Sequence, residues 1–123
     1  MTLATEIAKK YKRKECLMCV TELCQNIQGT VLTIDIQDLT GFNRNYIYYE
    51  DGSDNFSISD TGLHYGFLVG ANVYDNLNSK GVSEKDWLAK FLFHCPEKGP
   101  TTVTSAHVRR QCSVKFLEQV NDA

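Results

Sequence analysis

The sequence predicts an α+β fold: an N-terminal helix, a three-stranded antiparallel meander, then two or three helices with a short further strand or hairpin. Three observations carry this. Residues 15–28 repeat apolar side chains at three- and four-residue spacing. Residues 31–36, 46–50 and 55–59 alternate and are rich in β-branched and aromatic side chains. Capping residues then precede later apolar runs at Asp60, Ser83 and Ser105. A length of 123 residues, 42% of them hydrophobic, suits a single α+β domain over residues 1–123 with its own core. Residues 1–14 read as a basic helical arm on that domain.

In order along the chain, residues 2–14 place Leu3, Ile7 and Tyr11 on one side of a helix. In the next segment Cys16, Leu17, Cys19, Val20, Leu23, Cys24 and Ile27 share an arc of about 160°. The first stripe does not continue that arc, so a break or a second packing partner is expected near residues 12–14. Gly29 is the expected helix end. In the first strand Leu32, Ile34 and Ile36 face one way and Val31, Thr33 and Asp35 the other. Tyr46 and Tyr48 oppose Ile47 and Tyr49 in the second. Asp51-Gly52 supplies turn chemistry, and Phe56 and Ile58 share a face of the third. Asp60 then sits as an N-cap, with Leu63, Phe67 and Gly70 following at helical spacing. Ser83 opens a run through Trp87, Leu88, Phe91 and Leu92. Residues 87–104 admit either a helix or a hairpin, because residues 89–94 also alternate and residues 96–100 can turn the chain back. Ser105 is the expected cap of a last helix carrying Val108, Cys112, Phe116 and Val120.

Charge is segregated. Residues 1–14 hold five basic side chains against Glu6, residues 15–79 hold nine acids against Arg44, and residues 80–123 hold seven basic and five acidic side chains. Such blocks favour a charged partner. No apolar run approaches the ~20 residues of a membrane helix, and Glu6, Lys9 and Lys10 interrupt any leader-like core. Five cysteines cannot all pair within one chain. Together these features indicate a cytoplasmic protein that does not engage membranes, with reduced thiols.

Asp60-Thr61-Gly62 is the tripeptide in which a retroviral-type aspartic protease keeps its carboxylate, where two subunits share one proton. Leu63 follows it where that family prefers Ala or Ser. Residues 67–70 are too close to serve as the second signature, and the chain opens with a cysteine-bearing helix. A capping carboxylate accepting first-turn N–H bonds, worth ~1 kcal/mol, is the better reading. No catalytic residue is therefore assigned.

The hairpin over residues 46–59, delivered into Asp60-Thr61-Gly62 and followed by helices, resembles the bacterial family called domain of unknown function 1828. The resemblance covers residues 25–120 in order of elements and residues 46–62 in letters. It implies an α+β fold carried by bacterial and mobile-element proteins, and it brings no catalytic residues.

Cys16-Leu17-Met18-Cys19 has the spacing of half a zinc site, with His94, Cys95, His107 and Cys112 as candidate completing ligands. No second Cys-x-x-Cys exists, and the cysteines lie on the apolar arc, as small buried hydrophobes do. No metal or other cofactor is assigned. His64, His94 and His107 are scattered, and no Gly-x-Ser-x-Gly or phosphate loop is present. Two surfaces remain. An acidic, Tyr-rich face of Asp35, Asp38, Tyr46, Tyr48, Tyr49, Glu50, Asp51 and Asp54 suits a basic protein partner. The arm of Lys9, Lys10, Lys12, Arg13 and Lys14 suits nucleic-acid phosphates. The expected function is a small non-catalytic interaction module of a bacterium, phage or mobile element. It would inhibit a nucleic-acid-processing defence enzyme, in the manner of an anti-CRISPR protein. The alternatives are nucleic-acid binding through the arm and an aspartic hydrolase using Asp60.

Overall fold

The structure is a computed structural model that describes residues 2–37, 39, 46–50 and 55–122. Thr2, in extended backbone, accepts a hydrogen bond from the Thr5 N–H at 3.1 Å and opens α1 (Leu3–Ala8), as an N-cap does. The helix buries Ala4, Ile7 and Ala8 and ends there, so the basic stretch beyond it is not helical. Residues 9–15 are the expected break. Within them Lys14 holds φ 73°, the one positive φ at a non-glycine among the described residues. An L-residue adopts that conformation at a cost of order 1 kcal/mol or more.

The second helix, α2 (Cys16–Asn26), buries Cys16, Cys19, Val20, Leu23 and Cys24, the arc its spacing predicts. Beyond it β1 (Thr30–Asp35) is buried on both faces. Val31 packs with the helices, while Leu32 and Ile34 face a second layer. A strand buried on both sides belongs at the centre of a sheet, and β1 pairs antiparallel with β4 (Leu63–Val69) on one side and β9 (Val108–Cys112) on the other. With β5 (Asn72–Tyr74) and β6 (Val82–Ser83) they form a five-stranded sheet in the order β6-β5-β4-β1-β9. A four-stranded sheet, β3-β2-β7-β8, is built from β2 (Ile47–Glu50), β3 (Asn55–Ser59), β7 (Phe91–Cys95) and β8 (Gly99–Thr102). Two further helices, α3 (Glu84–Leu88) and α4 (Ser113–Asp122), complete the described secondary structure, with a 3-10 turn at Ser105–His107.

The result is three layers. α1, α2 and α4 cover one face of the larger sheet around Leu23, Val31, Phe67 and Phe116. The smaller sheet covers the other face around Leu32, Ile34, Ile47, Trp87 and Phe91. Each large apolar side chain fully buried in these cores contributes about 1.5–3 kcal/mol.

This overturns the helix-meander-helices architecture. The first strand does not join the next two: β1 is central in one sheet, and β2 pairs with β3 and β7 in the other. Residues 63–69 are strand. Burial on both sides of that sheet erased the polar alternation that would have marked it, leaving Leu63 and Phe67 at apparent helical spacing. Asp60 is consequently no helix cap. It is exposed in a bend before a strand, and Ser59 Oγ accepts the Thr61 N–H instead, at 3.3 Å. Ser83 does cap a helix, accepting from Asp86 N–H at 3.2 Å. That helix ends at Leu88, and residues 91–102 form the hairpin β7–β8. The last helix starts at Ser113, because Val108 and Cys112 belong to edge strand β9.

Candidate active site

Cys16 is the first residue of α2. Its sequence neighbours suggested a small buried hydrophobe, and the structure places it at the N-terminal end of the helix. Glu15, in the capping position, makes no side-chain bond to the helix. Its carboxylate accepts the Lys12 N–H at 2.6 Å instead. The first-turn N–H groups therefore lack a side-chain acceptor, and the positive end of the helix dipole lies at the sulfur.

His64 reaches the same point from β4, opposite Ile34 of β1. Strands β4 and β5 pair from Phe67/Tyr74 to Val69/Asn72. Past that pairing they separate, and Asp75 leaves β5 opposite the His64 side. His64 Nε2 and Asp75 Oδ2 are 2.9 Å apart, with each side chain 1% exposed. Asp75 is fully satisfied. Oδ2 also accepts the Trp87 Nε1–H at 2.8 Å. Oδ1 accepts the Leu77 N–H at 2.9 Å, the Asn78 N–H at 2.7 Å and the Asn78 amide Nδ2–H at 2.9 Å. The Asn78 carbonyl oxygen in turn accepts from the Tyr49 hydroxyl at 3.1 Å, which ties the smaller sheet to the carboxylate. Trp87 reaches Asp75 across Gly66, where a Cβ would come within 2.5 Å of Trp87 Cζ2. Phe91, with its ring centroid 4.9 Å from that of His64, closes the apolar side of the imidazole.

Burial alone would raise the Cys16 pKa. Hydrogen bonding and charge from His64, with a backbone hydrogen bond from Tyr65, outweigh it and bring the thiol below its ordinary value. Burial opposes the charged imidazole, yet Asp75 and Cys16 push His64 up to about 9. Asp75 is held below the usual carboxylate range because its hydrogen bonds and the His64 charge overcome burial. With Nε2 committed to Asp75, Nδ1 is the ring nitrogen left to face the thiol. It has no hydrogen bond of ordinary geometry, so the thiol's influence acts from beside the ring. Both shifts favour the thiolate–imidazolium form of the pair in this desolvated pocket.

The other residues singled out from sequence lie elsewhere. Asp35 forms an ion pair with Arg109 at 3.4 Å. Tyr48 is exposed with its ring centroid 6.0 Å from that of Tyr46. Glu50 is exposed, whereas Tyr49 is 5% exposed and faces inward. Asp38, Asp51 and Asp54 lie outside the described residues. In the basic stretch Lys9 and Lys14 are exposed, and Lys10 pairs with Glu22 at 2.6 Å. Arg13 lies over the Phe56 ring at 4.8 Å, and the Lys12 carbonyl accepts from Asn76 at 2.7 Å. These residues clasp the strap that leads into Cys16. Among the described residues no three His, Cys, Asp or Glu side chains converge as a metal site. No helix among them is long and apolar enough to cross a membrane.

A cysteine at a helix start, a histidine beside it and an aspartate behind the histidine make the arrangement that thiol hydrolases use. A family model described as Papain fold toxin 2 matches residues 2–92, and the chain belongs to that family. The matched segment contains Cys16, His64, Asp75 and Trp87. No curated protein and no solved structure matched. Membership in a papain-fold toxin family overturns the expected inhibitor of a defence enzyme and its anti-CRISPR character, together with the Asp60 aspartic hydrolase. None of these findings bears on the resemblance to domain of unknown function 1828.

Proposed function

We propose that this protein is a toxin whose activity is thiol-dependent cleavage of a peptide or amide bond, with Cys16 as nucleophile, His64 as general acid and base, and Asp75 as the group that orients and charges the imidazole. The observation that carries this reading is the buried His64–Asp75 pair placed against Cys16 at the start of α2. Cys16 Sγ attacks the substrate carbonyl carbon, and the oxygen develops negative charge beside the uncapped N–H groups of the first turn. His64 gives its Nδ1 proton to the departing amine, leaving a thioester. Neutral His64 then takes a proton from water, the hydroxyl attacks the thioester, and the acid leaves as the thiol pair is restored. Asp75 keeps its negative charge throughout.

A reducing cytoplasm, where Cys16 stays a thiol, is the compartment in which this chemistry works. The test is expression in bacterial cells alongside Cys16→Ala and His64→Ala, with product formation from a denatured bacterial proteome measured in vitro. Growth arrest and new amine termini, or released ammonia, should both depend on Cys16. Equal toxicity and equal product from Cys16→Ala would sink the reading.

A further inference from the structure

One stretch of the larger sheet is left uncovered on its helix side, between the start of α2 and the C-terminal half of α4. Here the cross-strand row Tyr65, Thr33 and Arg109 runs from β4 over β1 to β9. With Leu17, Phe116 and Val120 as apolar walls, it bounds a cleft of about 540 Å³. Its near end touches the catalytic group: Leu17 follows the nucleophile in sequence, and Tyr65 lends its backbone to the Cys16 sulfur. Its far end is basic. The Arg109 guanidinium faces the cleft and no carboxylate side chain lines it, while Arg110, in register with Leu32, directs its side chain to the opposite face of the sheet.

Arg109 is held by a carboxylate that is not part of the lining. Asp35 is 3.4 Å from Arg109, whose side chain is 69% exposed, and Glu84 pairs with Arg110. Exposed pairs of this kind are worth little and exchange partners readily. An incoming carboxylate would find a donor fork already oriented. The β9 strand that carries Arg109 has β1 as its one paired strand among the described residues, and an edge of this kind can accept an extended chain.

We propose that this cleft is a substrate subsite on one side of the scissile bond, selecting an extended polypeptide that carries apolar side chains with a carboxylate at the Arg109 end. The proposal rests on the cysteine-hydrolase reading above for the position of the scissile bond. The apolar walls exclude water and take aliphatic side chains, and the guanidinium at the rim supplies direction, so the peptide enters in one polarity.

Two measurements test it and separate its failure from that of the hydrolase reading. In the first, Cys16→Ala protein is titrated into a fluorescent peptide alternating leucine and glutamate, and into the leucine–lysine counterpart. Binding to the acidic peptide should be about tenfold tighter, and Arg109→Glu should remove that preference. In the second, active protein digests a peptide library from a denatured proteome, with cleavage sites read by mass spectrometry. Aspartate and glutamate should be enriched on one side of the cut, and the enrichment should vanish in Arg109→Glu while cleavage elsewhere persists. Equal binding of the two peptides, or an unchanged cleavage pattern in Arg109→Glu, would overturn the subsite. Product with no acidic preference overturns the subsite and leaves the hydrolase standing. Acidic preference in binding with no Cys16-dependent product does the reverse.

Discussion

The first turn of α2 and the two turns that follow it hold chemically identical side chains with opposite fates. Cys16, Cys19 and Cys24 are all buried on one helix. Burial, then the nearby charges of Asp75, Cys16 and Glu22, pushes Cys19 up to about 12, and burial alone does the same for Cys24. Cys16 moves the other way because His64 and a backbone hydrogen bond overcome the same burial. Desolvation thus determines that each thiol is inert unless a partner is supplied. Position on the helix decides which one gets a partner. One turn later the sulfur points into the helix–sheet core among Val20, Leu23 and Val31, where nothing stabilises a thiolate.

The sharpest way to break this contrast is substitution at each position. Cys16→Ala should abolish turnover, and Cys19→Ala should retain it while losing about 1 kcal/mol of stability, as read by product assay and chemical denaturation. Activity surviving in Cys16→Ala, or lost in folded Cys19→Ala, would reverse the assignment. Asp75→Ala comes next. It leaves His64 buried without its counter-charge and should cost about 3–5 kcal/mol, with turnover falling about 10²–10⁴-fold. His64→Gln is the companion variant, expected to lose turnover comparably in a chain still folded by circular dichroism. Smaller is Gly66→Ala, whose Cβ would meet Trp87 and should cost about 1–3 kcal/mol. Tyr49→Phe keeps the ring and deletes one hydrogen bond to Asn78, so about 1 kcal/mol is expected from urea titration.

The pH dependence sharpens the comparison without any mutation. A thiol held below its ordinary value beside an imidazole raised to about 9 predicts that Cys16 alkylates at a lower pH than Cys19 and Cys24, whose thiols are pushed up to about 12. Peptide mapping after iodoacetamide treatment reads this directly. Turnover should fall as pH rises through about 9, where His64 loses the proton it gives the leaving group. The same raised pKa bears on stability. It contributes fully below about 6.5, the unfolded value, and is lost as pH rises toward about 9. Asp75, being depressed, contributes above its unfolded value of 3.8 and is lost as pH falls through its lower folded value. Thermal melts across this range should be highest between the two limits and flatten in Asp75→Ala.

What the sequence disclosed follows from how each element is solvated. α2 and strands β1 to β3 were legible, because apolar period or alternation survives where one face differs from the other. β4 was not, since a strand between a helix layer and a second sheet has no polar face to reveal its period. The site shared that fate. Cys16 resembled its buried neighbours, His64 lay in the misread strand, and Asp75 was one of the nine acids in the charge block of residues 15–79. Their spacing carries no local signature. Only the β4–β5 hairpin brings residue 64 to residue 75, and that hairpin was hidden in a supposed helix. The usable signal was the chain order of cysteine, histidine and aspartate together with two Cys-bearing turns preceded by a basic strap.

The Lys12 to Asn76 contact has a last consequence. The strap entering Cys16 is fastened to the residue next to Asp75, and each member of the triad comes from a separate element of the fold. An unfolded or partly threaded chain therefore carries an ordinary thiol, an ordinary imidazole and no nucleophile. On the proposed activity, latency is built into the polypeptide: only molecules that have completed folding carry the assembled site.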